Sequence, residues 1–259
     1  MSSFRLIPVL HLPALPGTPL SSLSFSEVLS RALEDGQTLL DAGFTGVIVE
    51  NFGDAPFQKQ DVRPHILSSL SVICSELARN LGFRVGVNVL RNDSLGALAV
   101  ASVLPDPFIR INVLVGAAWT DQGLVEGQAY DLLMYRRELG INCELLADVM
   151  VKHASPAGTS ELASVLVDTV KRGQADAVIL TGSGTGQNTD LALLDQAKEH
   201  LRRANLSTPL LVGSGINQSN LSRYMSHCDG AIVGTYLHQD SAWDQMICAD
   251  RCKSLMALR

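Results

Sequence analysis

Polar side chains recur in one setting in this chain, directly after short apolar runs. Glu50 and Asn51 close the run Val47-Ile48-Val49, and Asp54 follows in the next turn. Asn88, then Arg91, Asn92 and Asp93, end the segment 83–90, while Arg110 and Asn112 lie within 108–114. Asp148 ends 143–149 with Lys152 and His153 just beyond, His11 sits at the end of 5–12, and Thr181 and Gly182 end 176–182. Two carboxylates on different elements, Glu50 and Asp148, suit paired acid–base work, because different surroundings can hold their pKa values apart. Lys152, His153 and Arg110 are groups that stabilise negative charge as it develops. Each also has a plainer reading. Arg110 is either a substrate contact or the structural partner of Glu50 or Asp148, and Asn88 and Asn112 are ligand contacts or hydrogen-bonders within a barrel layer. Lys152 is a phosphate or carboxylate contact, a Schiff-base nucleophile or a solvated side chain, and His11 is equally open to a structural role. His65, His200, His227 and His238 follow no such run and read as surface or helix residues.

Glycine supplies the second chemical feature. "VGSGI" (212–216) and "VGT" (233–235) place Gly213, Ser214, Gly215, Gly234 and Thr235 after two apolar runs. Glycine lets backbone N–H groups approach an anion, and a following helix N-terminus favours negative charge. The competing reading is a pair of tight turns with no ligand. "TGSGTG" (181–186) is a third anion-binding turn or a flexible lid.

The apolar runs must be the elements that position these groups. There are eight: residues 5–12, 46–51, 83–90, 108–114, 143–149, 176–182, 209–215 and 229–235. Most are apolar on both faces, as strands of a parallel sheet covered by helices are. Helical periodicity fills the gaps at 24–43, 63–82, 123–140 and 158–175, with glycine at or near the end of each segment. The pattern predicts one α/β domain over residues 1–259, a (β/α)8 TIM barrel, with an open doubly wound sheet as competitor. Connections three to four and seven to eight are short, so their helices must be brief. In such a barrel the strand C-termini form the active-site rim, where most of the polar residues fall; Arg5, Arg84, Glu144, Asp176 and Asp229 mark the opposite ends.

Bulk properties narrow the partners. A net charge of −6 without a basic stripe argues against nucleic acid. No run approaches the ~20 apolar residues of a membrane span, and the first residues do not read as a signal peptide. Five scattered cysteines suit reduced thiols in a cytoplasmic setting. The amphipathic segment 241–259 reads as the last barrel helix or as a homo-oligomer contact. Glu50, Asp148, His153 and His11 are types that bind divalent cations, yet neither H-x-H on the first strand nor H-E-x-x-H occurs, so no metal is assigned and the cofactor stays open.

Read in order, "HLPALPGTP", "GVIVENFGDAPF", "GVNVLRND", "FIRINVLVGAAWTDQGLVEGQA", "ADVMVKHA", "ADAVILTGSGTGQ", "LVGSG" and "DGAIVGT" resemble the BtpA family, which includes SgcQ-type proteins. The resemblance spans nearly the whole chain and implies a TIM barrel related to phosphate-binding barrels. Carried over residue by residue, it points to Glu50, Asn51, Asp54, Asn88, Arg91, Asn92, Asp93, Asp121, Asp148, Lys152 and His153. The family takes its name from a cyanobacterial factor for photosystem I accumulation that associates peripherally with membranes. Members in non-photosynthetic organisms look like proteins of sugar or nucleotide metabolism. No settled reaction accompanies the family. The implied alternatives are therefore an isomerase, lyase or hydrolase of a phosphorylated metabolite, or a non-enzymatic biogenesis factor.

Overall fold

Each of the eight apolar runs becomes a strand, and the eight close on themselves. The computed structural model describes residues 4–149, 155–156, 161–182 and 188–259, so Lys152, His153 and most of the third glycine turn lie outside the described residues. In chain order the strands are β1 (Arg5–His11), β2 (Gly46–Glu50), β3 (Arg84–Asn88), β4 (Phe108–Ile111), β5 (Ala117–Thr120) and β6 (Gly123–Glu126). They continue with β7 (Glu144–Val149), β8 (Ser155–Pro156), β9 (Ala177–Leu180), β10 (Leu210–Val212) and β11 (Gly230–Val233). The barrel runs β1-β11-β10-β9-β7-β4-β3-β2, all parallel, while β5, β6 and β8 form a small antiparallel sheet beside it.

Helices α1 (Phe25–Asp41), α2 (Pro64–Leu81), α3 (Ser94–Ala101) and α4 (Ala129–Leu139) cover the first half. Helices α5 (Leu162–Lys171), α6 (Leu191–Arg203), α7 (Leu221–Tyr224) and α8 (Ala249–Met256) cover the second. Ser24 and Glu27 start α1 as a capping box, and Gly82, in the left-handed region at φ 67°, ends α2. The two short connections carry helices of only eight and four residues, α3 and α7. One expectation fails. Residues 123–126 form a hairpin strand instead of the first turn of a helix, because Gly123 at φ 90° and the Thr120 hydroxyl, bonded to the Gly123 carbonyl, close a tight turn.

Strand side chains alternate between faces, so every second residue enters the barrel. Ile7, Val9, Ile48, Phe108, Leu146, Ile179, Leu211 and Ile232 pack together as the inner core. Their strand neighbours, such as Val47, Val49, Ile109 and Leu145, pack outward with helix residues including Leu39, Leu70 and Leu77. At the N-terminal end Arg5 and Arg84 both pair with Glu144 and lie over the Phe108 ring, which closes the barrel floor. All five cysteines are free, and burial pushes the Cys74 and Cys252 thiols up to about 12.

Asp35 ties the C-terminal segment to α1, its carboxylate accepting from Ile247 N at 2.7 Å. Burial raises its pKa from 3.8 to about 6, against that hydrogen bond and the nearby Arg31. A raised acid contributes stability that is complete below its unfolded pKa and is lost as pH rises through the folded value. A shift of this size corresponds to about 3 kcal/mol. Asp35→Asn keeps the acceptor without the charge. Thermal denaturation is expected to show the variant gaining on wild type between about pH 4 and pH 6; a pH-independent difference would contradict this account.

Candidate active site

Continuing the inward alternation to the C-terminal ends of the strands builds the site. His11 follows Ile7 and Val9, Glu50 follows Ile48, Arg110 and Asn112 follow Phe108, Asp148 follows Leu146, and Thr181 follows Ile179. Strand register sets His11 beside Glu50 and Glu50 beside Asn88. Nine positions expected from the sequence thus share the inward face at one end of the barrel: His11, Glu50, Asn88, Arg110, Asn112, Asp148, Thr181, Gly213 and Gly234.

Arg110 is the centre of the group. Its Nε and Nη2 donate to the two oxygens of Asp148 at 3.1 Å each, and its Nη1 donates to Glu50 Oε1 at 3.0 Å. Asn112 Nδ2 adds a 2.9 Å bond to Asp148 Oδ2. All four side chains are buried. Burial works against the guanidinium's charge, but Asp148 and Glu50 together outweigh it and raise its pKa. The fork of a guanidinium fits two carboxylates at once, which a lysine ammonium cannot do. Arg110 thus pairs with both Glu50 and Asp148, at the rim itself.

His11 is held between rings, with Phe52 at 4.7 Å and His238 at 5.3 Å between centroids. Its Nε2 lies 3.8 Å from Glu50 Oε2, and its Nδ1 lies 3.3 Å from His238 Nε2. His238 is 1% exposed, which corrects its reading as a surface residue. Nothing in its sequence setting marked it, for it follows β11 by five residues and reaches His11 only through the closed barrel.

The glycine turns stand directly beside these groups, since β11 pairs with β1. His11, Glu50 and Arg110 line a cavity of about 160 Å³ together with Gly213–Gly215, Gly234 and Thr235. Gly215 adopts φ 75°, and a Cβ on Gly234 would meet the His11 ring at 2.6 Å, so both positions call for glycine. Ser214 Oγ accepts from Gly182 N, linking the turn after β10 to the end of β9. The helix after β10 is only four residues long, and Gly213 N donates to the Leu180 carbonyl, so Gly213 supports the turn rather than offering its N–H to the cavity.

Other expected residues spend their polar atoms on the backbone. Asn51 accepts from Leu90 N and donates to Asp54, which accepts from Leu15 N; burial pushes the Asp54 pKa up against these bonds. Asn92 exchanges two hydrogen bonds with the Val113 backbone, and Asp93 caps α3 at Gly96 N and holds Val62 N. These residues lock the loops around the mouth. Asp121 sits exposed at the hairpin turn. Arg91 is buried, which lowers its pKa, while Asp148 and Asp121 pull it the other way. Among the described residues, Asn88 Nδ2 and Oδ1, Asn112 Oδ1 and Thr181 Oγ1 are buried with no hydrogen-bond partner. Such atoms need a ligand or ordered water. No three His, Cys, Asp or Glu side chains among the described residues converge in a metal-holding arrangement.

A closed parallel eight-stranded barrel with its polar groups gathered at the strand C-termini is a TIM barrel. Solved structures share the architecture at low identity. N-(5'-phosphoribosyl)anthranilate isomerase from Pyrococcus furiosus superposes with a TM-score of 0.57 at 12% identity, covering 98% of each chain. A Mycobacterium tuberculosis tryptophan synthase chain gives 0.59 at 16%, covering 98% of this chain and 92% of that one. Sequence relatives are far closer. An uncharacterized protein of Methanocaldococcus jannaschii is 41% identical over 98% of this chain and 94% of its own length. The photosystem I biogenesis protein BtpA of a Synechocystis species is 43% identical over 89% of this chain and 79% of its own. The BtpA family profile matches residues 3–259, and the chain belongs to that family.

Removing Arg110 leaves two buried carboxylates without their partner. Arg110→Met is expected to cost about 3–5 kcal/mol in urea denaturation. Adding Glu50→Gln and Asp148→Asn to it should recover most of that loss. Equal stability of the single and triple variants would show that the ion pairs are not what holds the mouth.

Proposed function

We propose that this protein is an enzyme acting on a phosphorylated small molecule, a sugar phosphate or nucleotide-like compound, by carboxylate acid–base chemistry. The observation that carries this reading is a polar barrel mouth left partly unsatisfied. Among the described residues, buried atoms of Asn88, Asn112 and Thr181 lack partners at the same end of the barrel as the glycine turns. A scaffold gains nothing from buried polar groups without partners, whereas a substrate supplies the missing hydrogen bonds. The phosphate lies against Gly213-Ser214-Gly215 and Gly234-Thr235. Gly182 joins this anion site through Ser214.

The two carboxylates divide the work. Asp148 accepts three hydrogen bonds and fixes Arg110, whereas Glu50 accepts one from Arg110 and turns Oε2 toward His11. Glu50 is therefore the proton-transferring carboxylate. Arg110, with Lys152 and His153 following Asp148 in the chain, balances negative charge on the substrate. Isomerase and lyase chemistry need only such a proton movement, and hydrolase chemistry adds a water. The isomerase barrel with a phosphoribosyl compound in its name offers analogy at the level of fold; the phosphate reading rests on the glycine turns.

A second reading takes the Synechocystis relative's name as a guide and makes this chain a biogenesis factor for a membrane complex. Exposed Trp119 and Tyr130 are candidate contacts, and among the described residues no helix is long and apolar enough to span a membrane. Sedimentation with lipid vesicles is the direct check on it.

A thermal-shift screen of sugar phosphates and nucleotides, each beside its dephosphorylated form, tests the enzyme reading. A ligand at one hundred times its dissociation constant stabilises by about 2.7 kcal/mol. Thr235→Asp should abolish the response by charge repulsion, and Glu50→Gln should keep the response but lose turnover. Stabilisation by no phosphorylated compound would sink the reading.

A further inference from the structure

The contact between His11 and His238 carries more than packing, because one end of it is chemically fixed. His238 Nδ1 lies 2.7 Å from the Gln245 backbone oxygen. A carbonyl only accepts, so His238 Nδ1 carries a hydrogen. The ring is buried, and burial disfavours its charged form, while Gln245 favours it to a lesser degree. A neutral ring with hydrogen on Nδ1 has a lone pair on Nε2. The neighbour at that nitrogen, His11 Nδ1 at 3.3 Å, must then be the donor. In its neutral form His11 then carries hydrogen on Nδ1 and the lone pair on Nε2.

Where Nε2 points matters as much as its protonation. It is 3.8 Å from Glu50 Oε2, and a Cβ added to Gly234 would sit 3.0 Å from it. His11 Nε2 therefore lies between the Glu50 carboxylate and the glycine turn at the end of the neighbouring strand β11. The ring has little freedom to leave. Phe52 packs against it, and Trp243 packs edge-on against Phe52 at 5.0 Å. Trp243, Gln245 and His238 all belong to the loop after β11, which Ile247 pins through its bridge to His238 and its bond to Asp35.

We propose that His11 Nε2 is the second proton-transferring atom of the site, working with Glu50, and that His238 is the residue that positions it by holding the Nδ1–H tautomer. This rests on the enzyme reading above. In the step, a substrate C–H or O–H bond breaks, a bond forms from His11 Nε2 to that hydrogen, and the electron pair stays on the substrate. The imidazolium keeps its Nδ1–H bond to His238 and faces the Glu50 carboxylate through Nε2–H. The proton returns from Nε2 to the substrate skeleton in the second half of the reaction, so no other reactant is consumed.

The test begins with the free protein and needs no substrate. Long-range proton–nitrogen correlation spectra of histidine-labelled protein at about pH 8 report which ring nitrogen carries hydrogen, and His11→Asn and His238→Phe assign the two rings. Both histidines are expected in the Nδ1–H form, the minor tautomer of imidazole in water. His238→Phe should release His11 toward Nε2–H, and His238→Gln, which offers an acceptor again, should restore Nδ1–H. Finding Nε2–H on His11 in the wild-type protein overturns the proposal, and that measurement does not depend on any variant folding. With a ligand from the phosphate screen, His11→Asn should lower turnover about 100-fold or more while the ligand-induced stabilisation persists. Unchanged turnover would also overturn it. A screen that yields no phosphorylated ligand counts against the enzyme reading and leaves the tautomer result intact, so the two failures are read separately.

Discussion

Everything at the mouth of this barrel depends on one guanidinium. Arg110 enters from β4 and meets carboxylates from β2 and β7, so three walls of the barrel are tied through a single buried side chain. Buried ions are tolerated only when paired and hydrogen-bonded, and here one guanidinium serves two carboxylates. Arg91 and His11 both lie within reach of the same acids.

The two ends of the barrel answer the same problem differently. At the floor, Arg5 and Arg84 share Glu144 and cover Phe108, and the ions there are paired with one another. Opposing cations hold the Glu144 pKa below its usual range even though burial pushes it up. At the mouth, pairing stops short: among the described residues, Asn88, Asn112 and Thr181 keep buried polar atoms without partners. A floor that closes on itself serves stability, whereas buried polar atoms left open call for a ligand or ordered water.

The loop after β11 is the least barrel-like part of the molecule and does much of the positioning. It delivers His238 to His11 and Trp243 to Phe52, and α1 holds it in place through Asp35.

Much of this could be read from residue order. Eight apolar runs, each followed by a helical pattern or a short connection, point to a parallel sheet covered on both faces, and the tertiary structure decides that it closes into a barrel. A polar residue two places after an inner apolar one, as Glu50 follows Ile48 or Asp148 follows Leu146, must enter the barrel at its C-terminal end because strand side chains alternate. The same rule separates Glu50 from Asn51, which faces away and serves the backbone of Leu90. Order along the chain does not say which of those inward groups meet. The Arg110 clamp joins residues 60 and 38 positions apart, and the histidine pair spans 227. Such contacts exist only once the barrel has closed, because closure is what brings β1 beside β11. His238 had no local pattern to betray it for that reason: its partner His11 comes from the far end of the chain.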